Sequence, residues 1–279
     1  MRFYYYRKWG SKVKILICGD IVGKSGRQIV QEQVPLLIKS KKIDFVIVNG
    51  ENAANGFGIT KKICNDLYSS GVDVITSGNH IWDQKEIIEH IECDKRLLRP
   101  CNYPIGTPGL GYGAYELKNG STIVVINVMC RLFMDIIDDP FKSVDEILTF
   151  LEKKLSNAIV ILDIHGESTS EKMALAHFFD GRVTAVVGTH THIPTADQHI
   201  LEKGTFYQTD LGMCGDYDSV IGMKKSLSIQ KFTNKFLKSR LETASGEGTL
   251  CGVMIEINNE TRKVSSFNQV IIGGKLNPN

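Results

Sequence analysis

Apolar positions fall into two rhythms along the chain. The segments "VKILICGD" (13–20), "IDFVIVNGEN" (43–52), "VDVITSGNH" (72–80), "AIVILDIHGES" (158–168) and "RVTAVVGTHTH" (182–192) open as short unbroken runs rich in Val and Ile. Such runs predict strands buried on both faces. Between them lie stretches with apolar residues near helical spacing. "GRQIVQEQVPLLIKSKK" predicts a helix, and "TKKICNDLYSSG" a second one opened by Thr60 and closed by Gly71. "DQKEIIEHI" predicts a third, with Asp83 and Glu86 at capping-box spacing. A further helix is expected near 143–156, and another after Ser168, which has capping-box spacing to Glu171.

Strand, loop and helix alternate in this way over much of the chain, which predicts an α/β architecture. Two hairpins interrupt the alternation. One turns at Asn119-Gly120 within "YGAYELKNGSTIVVINV" (112–128), and the other closes the chain in "LCGVMIEINNETRKVSSFNQVII". No repeat or linker breaks the pattern, so a single domain over 13–279 is expected behind an N-terminal extension of residues 1–12. That extension, "MRFYYYRKWGSK", is basic and aromatic.

Composition narrows the function classes. The 279 residues carry 33 Lys+Arg against 31 Asp+Glu, a balance that gives no strong nucleic-acid signal and no argument for an anionic membrane. No apolar run reaches the length of a membrane span. The seven cysteines are odd in number and form no CxxC pair, which argues against a disulfide framework or a thiolate metal site and for a reducing cytoplasm. A homo-oligomer is compatible with the sequence, and "DLGMCGDYDSVIGM" (210–223) could serve as an active-site or an interface loop.

Chemistry gathers where the apolar runs end. The first ends at Asp20, the second at Glu51 and Asn52, the third at Asn79 and His80, the fourth at His165, and the fifth at His190 and His192. Ligands in open α/β sheets bind outside the carboxyl ends of the strands. Four of the seven histidines thus meet two carboxylates and two carboxamides there. Extended backbone at "HTH" would send His190 and His192 to one face. Carboxylate, carboxamide and imidazole without thiolate suit first-row ions such as Mn²⁺ or Fe²⁺, with Zn²⁺ a further candidate. A metal pair of this kind can clamp the attacking and leaving oxygens of phosphoryl chemistry. His190 and His192 are expected to serve one metal each.

Other motifs compete less well. "GDIVGKS" has three residues between Gly19 and Gly23, where a P-loop has four, and it places an aspartate in the phosphate cradle. "RPCNYP" (99–104) reads either as a cleft lining or as a turn. Asp83 reads first as a helix cap and second as a partner of His80, while Asp163 reads as a strand carboxylate or as support for a ligand.

"GDIVGKSGR", "NGENAANGFGIT", "SGNHIWDQKEI", "HGESTSEK" and "VVGTHTHIPTAD" together resemble the calcineurin-like metallophosphoesterases, and more narrowly the YmdB-type bacterial branch. The resemblance runs from about residue 13 to residue 271. It implies a metallophosphoesterase-like four-layer α/β/β/α sandwich, with two central mixed sheets flanked by helices. It also implies a dinuclear-metal phosphodiesterase acting on a small phosphodiester or cyclic nucleotide of the 2′,3′- or 3′,5′-cyclic AMP type. Position by position, Asp20, Glu51, Asn52 and His192 would hold one metal. Glu51, Asn79, His165 and His190 would hold the other, with Glu51 bridging. A bridging hydroxide would attack while His80 protonates the leaving oxygen. The chain departs from the wider superfamily at Ile21-Val22, where Asp-x-His is usual, at Glu51 in place of a bridging Asp, and at Ile81 after Gly-Asn-His. "HGES" carries Gly166 and Ser168 where alanines are expected. The rival reading is a metal- and nucleotide-binding regulatory module with little turnover. A late HxH fits an amidohydrolase poorly, since those enzymes carry it on the first strand.

Overall fold

The structure is a computed structural model and describes residues 12–234, 236 and 240–276. Eleven of the twelve residues of the expected extension lie outside the described residues, and Lys12 is the first residue of a strand. In chain order the elements are β1 (Lys12–Ile21), α1 (Gly23–Lys41), β2 (Phe45–Asn49), α2 (Lys61–Ser69), β3 (Val74–Thr76), α3 (Ile87–Cys93), β4 (Tyr112–Glu116), β5 (Thr122–Met129), α4 (Pro140–Lys154), β6 (Ile159–His165), α5 (Thr169–Phe178), β7 (Ala185–Thr189), β8 (His199–Ile200), β9 (Phe206–Gln208), β10 (Met213–Asp216), α6 (Lys225–Thr233), β11 (Gly248–Asn258) and β12 (Val264–Ile272).

Two six-stranded mixed sheets result, ordered β12-β11-β10-β1-β2-β3 and β4-β5-β6-β7-β9-β8. In the first, β1, β2 and β3 run parallel, while β11 pairs antiparallel with β1 from Lys12↔Asn258 to Cys18↔Gly252. In the second, β5, β6, β7 and β9 run parallel between antiparallel edge strands.

The unbroken apolar runs have a direct cause: each central strand feeds two cores. Val13, Ile15 and Ile17 of β1 point between the sheets, while Leu16 and Cys18 point to α1 and α2. Likewise Ile159 and Ile161 of β6 enter the inter-sheet core, and Val160, Leu162 and Ile164 pack with Val144 and Leu148 of α4 and Leu175 of α5. Three cores between four layers make an α/β/β/α sandwich, as the resemblance implied. Burying one such aliphatic side chain is worth about 1.5–3 kcal/mol.

Helix boundaries hold less well against the sequence reading. Thr60 caps α2 as expected, its hydroxyl accepting from the Ile63 amide at 3.3 Å. Neither capping box forms. The cap position of α3 is Glu86 rather than Asp83, and the Glu86 carboxylate accepts from the Lys61 amide instead. Ser168 does cap α5 by position, but its hydroxyl pairs with Ser170, and Glu171 accepts from the Arg131 and Leu132 amides. "RPCNYP" is a turn in which Arg99 donates to the carbonyls of Pro100, Thr107 and Pro108.

Candidate metal centre

Parallel strands send their carboxyl ends to one side, and both sheets do so at the same place. β1 delivers Asp20, the turn after β2 delivers Glu51 and Asn52, and the turn after β3 delivers Asn79 and His80. From the second sheet, β6 ends on His165, and the loop after β7 carries His190 and His192. All eight sequence-selected residues therefore share one cleft. Asp20, Glu51, Asn52, His165 and His192 are buried in its floor.

The floor is a convergence of lone pairs. Nε2 of His165 lies 2.9 Å from Glu51 Oε1, 3.2 Å from Asn79 Oδ1 and 3.0 Å from Nδ1 of His190. Nε2 of His192 lies 3.2 Å from Asn52 Oδ1. Gly78 lets this happen, because a methyl group there would overlap Glu51 Oε2 and the His165 ring.

Each imidazole is turned by a partner on its other nitrogen. Nδ1 of His165 faces the Thr189 hydroxyl at 3.0 Å, which in turn donates to Asp163 at 2.9 Å. Nδ1 of His192 donates to the Ile221 carbonyl at 2.9 Å. Nε2 of His190 faces Glu167 at 3.3 Å. These outer bonds fix which nitrogen of each ring is free to bind an ion. The Asn52 amide is fixed in the same way, since its Nδ2 donates to the Gly56 carbonyl at 3.0 Å.

The HxH geometry differs from the sequence expectation. His190 and His192 are not extended; they take φ of +100° and +66°. Left-handed backbone at a non-glycine residue costs of order 1–3 kcal/mol and persists only when its surroundings impose it. Here the His190 amide donates to Asp20 Oδ2 at 3.0 Å and the Thr191 amide to Asp210 Oδ2 at 3.0 Å. Asp210 is itself held by the buried Lys172, whose Nζ lies 2.9 Å from it and 2.7 Å from the Thr189 carbonyl. Within 210–223, Tyr217 also donates to the His192 carbonyl, so this loop belongs to the centre.

Electrostatics fit a cation. Burial pushes the Asp20 carboxyl up to about 6, against the pull of His192 and His165. Burial also works to raise Glu51, but the imidazoles of His165, His80 and His190 together outweigh it and hold that carboxyl at about 2. His190 is pushed down to about 3 by burial and by His165 beside it, so its ring is neutral. Asp20 Oδ1 is buried and has no hydrogen-bond partner among the described residues. Burial acts to lower His165, but the carboxylates of Glu51, Asp20 and Asp163 raise it, so in the metal-free floor a proton offsets charge that is costly to bury alone, and a bound cation would take over that role. Glu51, His165 and His190 place three ligand atoms within 4.8 Å of one another. The oxygen and nitrogen donor set fits a hard or borderline divalent metal.

His80 stands apart from this floor. Its amide donates to Glu51 Oε2 at 3.2 Å, while its Nδ1 meets Asp83 Oδ2 at 2.8 Å. Asp83 is thus the partner of His80 and not a helix cap, which reverses the sequence preference. His80 lines a cavity of about 420 Å³ with Glu51, Asn52, His190 and His192, whose apolar lining includes Phe57, Ile221 and Met223. Sequence reading missed Glu167, Lys172, Thr189 and Asp210. Glu167 and Asp210 left a signal, each a further carboxylate just past a strand, β6 and β9 respectively.

The family described as YmdB-like protein matches residues 16–270. The chain is similar to the 2′,3′-cyclic-nucleotide 2′-phosphodiesterase of Bacillus subtilis (strain 168), 46% identical over 260 residues, covering 93% of this chain and 97% of that protein. It also resembles the crystal structure of a hypothetical protein from Thermus thermophilus, with a TM-score of 0.85 and 38% identity over 94% of this chain and 100% of that one. A novel phosphatase from Mycoplasma pneumoniae aligns with a TM-score of 0.86 and 35% identity, covering 94% of each chain. With its motifs, its sandwich fold and these near-full-length matches in accord, the chain belongs to the YmdB-like protein family.

Proposed function

We propose that this protein is a divalent-metal-dependent phosphodiesterase that opens 2′,3′-cyclic nucleotides at the bond to O2′. One observation carries the reading: the lone pairs of Glu51, Asn79, His165 and His190 converge in a buried floor, with His80 beside them and its Nε2 left for the cavity. The substrate and the broken bond follow the Bacillus subtilis relative, whose name specifies a 2′-phosphodiesterase. The native surroundings proposed are cytoplasmic; no helix among the described residues is long and apolar enough to cross a membrane.

Asp20, Glu51, Asn52 and His192 would hold one ion. Glu51, Asn79, His165 and His190 would hold the second, with Fe²⁺ or Mn²⁺ favoured and Zn²⁺ next. Such ions supply Lewis acidity to the phosphoryl group and make a water proton easier to lose. The protein's own residues do the rest. Asp83 accepts the Nδ1 proton of His80, so a ring protonated on both nitrogens would give its Nε2 proton to the departing sugar oxygen. Positioned general acids of this kind contribute typically about 10²–10⁴-fold. Glu167, Thr189 and the Ile221 carbonyl keep three imidazoles in the tautomers their positions need. The apolar lining restricts water around the reacting phosphate.

The test is hydrolysis of 2′,3′- and 3′,5′-cyclic AMP by Mn²⁺-loaded protein, with His80→Ala alongside. Metal-dependent turnover that favours the 2′,3′ isomer and falls about 10²-fold or more in the variant is expected. Two bound metals without turnover would move the assignment to a nucleotide-binding regulatory module.

A further inference from the structure

We infer that the ring of Phe57 is the platform on which the substrate's nucleobase stacks, a role that rests on the phosphodiesterase reading above. The argument starts from the bond that breaks. A water oxygen bonds to phosphorus and gives one proton to solvent. The P–O2′ bond breaks, its electron pair leaves on O2′, and O2′ takes a proton from Nε2 of His80, leaving a 3′-phosphate. O2′ is separated from the glycosidic nitrogen by only C2′ and C1′. The base must therefore lie beside the imidazole that protonates O2′. Cleavage at O3′ would instead bring C4′ and C5′ to that place.

One phenyl ring occupies this position. Phe57 and His80 pack in a T, with ring centroids 5.2 Å apart and planes at 80°, and both line the same cavity. The cavity's other phenyl ring, Phe232, is 86% exposed. Phe57 is also held ready. Its amide donates to the Ala54 carbonyl at 3.1 Å, and its carbonyl accepts from Gln84 Nε2 at 2.7 Å. The Arg240 guanidinium carbon sits 5.3 Å from the ring centroid. Arg240 lines the neighbouring cavity with Ala54 and Gln84 and not this one, and the base is inferred to take the ring face opposite its guanidinium. A ring fixed before binding loses little entropy when a base stacks on it.

Base–aromatic stacking contributes about 1–3 kcal/mol, or roughly 5- to 100-fold in affinity. The experiment compares kcat/KM of the metal-loaded enzyme for 2′,3′-cyclic AMP, 2′,3′-cyclic UMP and the base-free methyl ribofuranoside 2,3-cyclic phosphate. Phe57→Ala and Phe57→Leu are measured beside the wild type; Leu keeps bulk against His80. The wild type should prefer adenine to uracil and either to the base-free ester. Both variants should lose about 5- to 100-fold on cyclic AMP, through KM, and least on the base-free ester. Equal losses on all three substrates, or a wild type indifferent to the base, would overturn the platform. No turnover of any of the three would overturn the phosphodiesterase reading and the platform with it.

Discussion

Lys172→Met removes the cation beneath the HxH loop. Lys172 and Asp210 are fully buried, 2.9 Å apart, and Asp210 also accepts the Thr191 and Gly212 amides. Methionine fills much of the same volume, so the change isolates charge from packing. It leaves the Asp210 carboxylate with two amide donors and no countercharge, and the Thr189 carbonyl without its Nζ donor. Breaking a buried pair on one side costs about 3–5 kcal/mol. For a chain of this size that is a fall on the order of 10 °C in Tm. The assay is urea unfolding of EDTA-treated protein followed by circular dichroism, with metal content measured on the folded variant. Lys172→Met/Asp210→Asn should be more stable than Lys172→Met alone, because no unpaired charge stays buried. A single variant within about 1 kcal/mol of wild type, or a double variant no better than the single, would refute the reasoning.

Other outcomes follow from the same geometry. Asp83→Ala frees Nδ1 of His80 and should lower kcat about 10- to 100-fold with both metals retained by elemental analysis. Gly78→Ala drives a methyl into Glu51 and His165 and should abolish metal binding, as read by calorimetric titration with Mn²⁺. Asp20 has a raised carboxyl, at about 6 in the folded chain against about 3.9 unfolded, so the folded state holds its proton more tightly. Its contribution to metal-free stability should therefore fall as pH rises from about 4 to 6, and Mn²⁺ affinity should rise over that window as the metal displaces the proton. Glu51, held at about 2, should not titrate there. Urea unfolding at pH 4.5–7 with and without Mn²⁺ checks both signs.

The parts of this architecture that were readable in the sequence were those dictated by burial. A strand with cores on both faces must be apolar at every position, so β1, β2, β3, β6 and β7 announce themselves, and the polar residues that end them stand out. The readings that failed were local ones overruled by distant partners. Asp83 has capping spacing, yet the imidazole of His80 is a better partner than an amide. Glu171 has it too, yet two amides from the Arg131 turn take its carboxylate. The left-handed backbone at His190 and His192 depends on Asp20 and Asp210, 170 and 19 residues from the atoms they hold. Lys172 sits in an ordinary helical pattern, and nothing adjacent to it marks it as buried.

The pairing of β1 with β11 has a consequence for a chain emerging from the ribosome. Asp20 sits on a strand whose antiparallel neighbour, Gly248–Asn258, is synthesised more than two hundred residues later. Of its companions, Glu51, Asn52 and Asn79 follow β2 and β3 of the same sheet, while His165, His190 and His192 come from the second. A partly made polypeptide thus holds ligand residues but no assembled centre. Assembly of the floor therefore waits for β11, and a chain cut short before Gly248 should lack it.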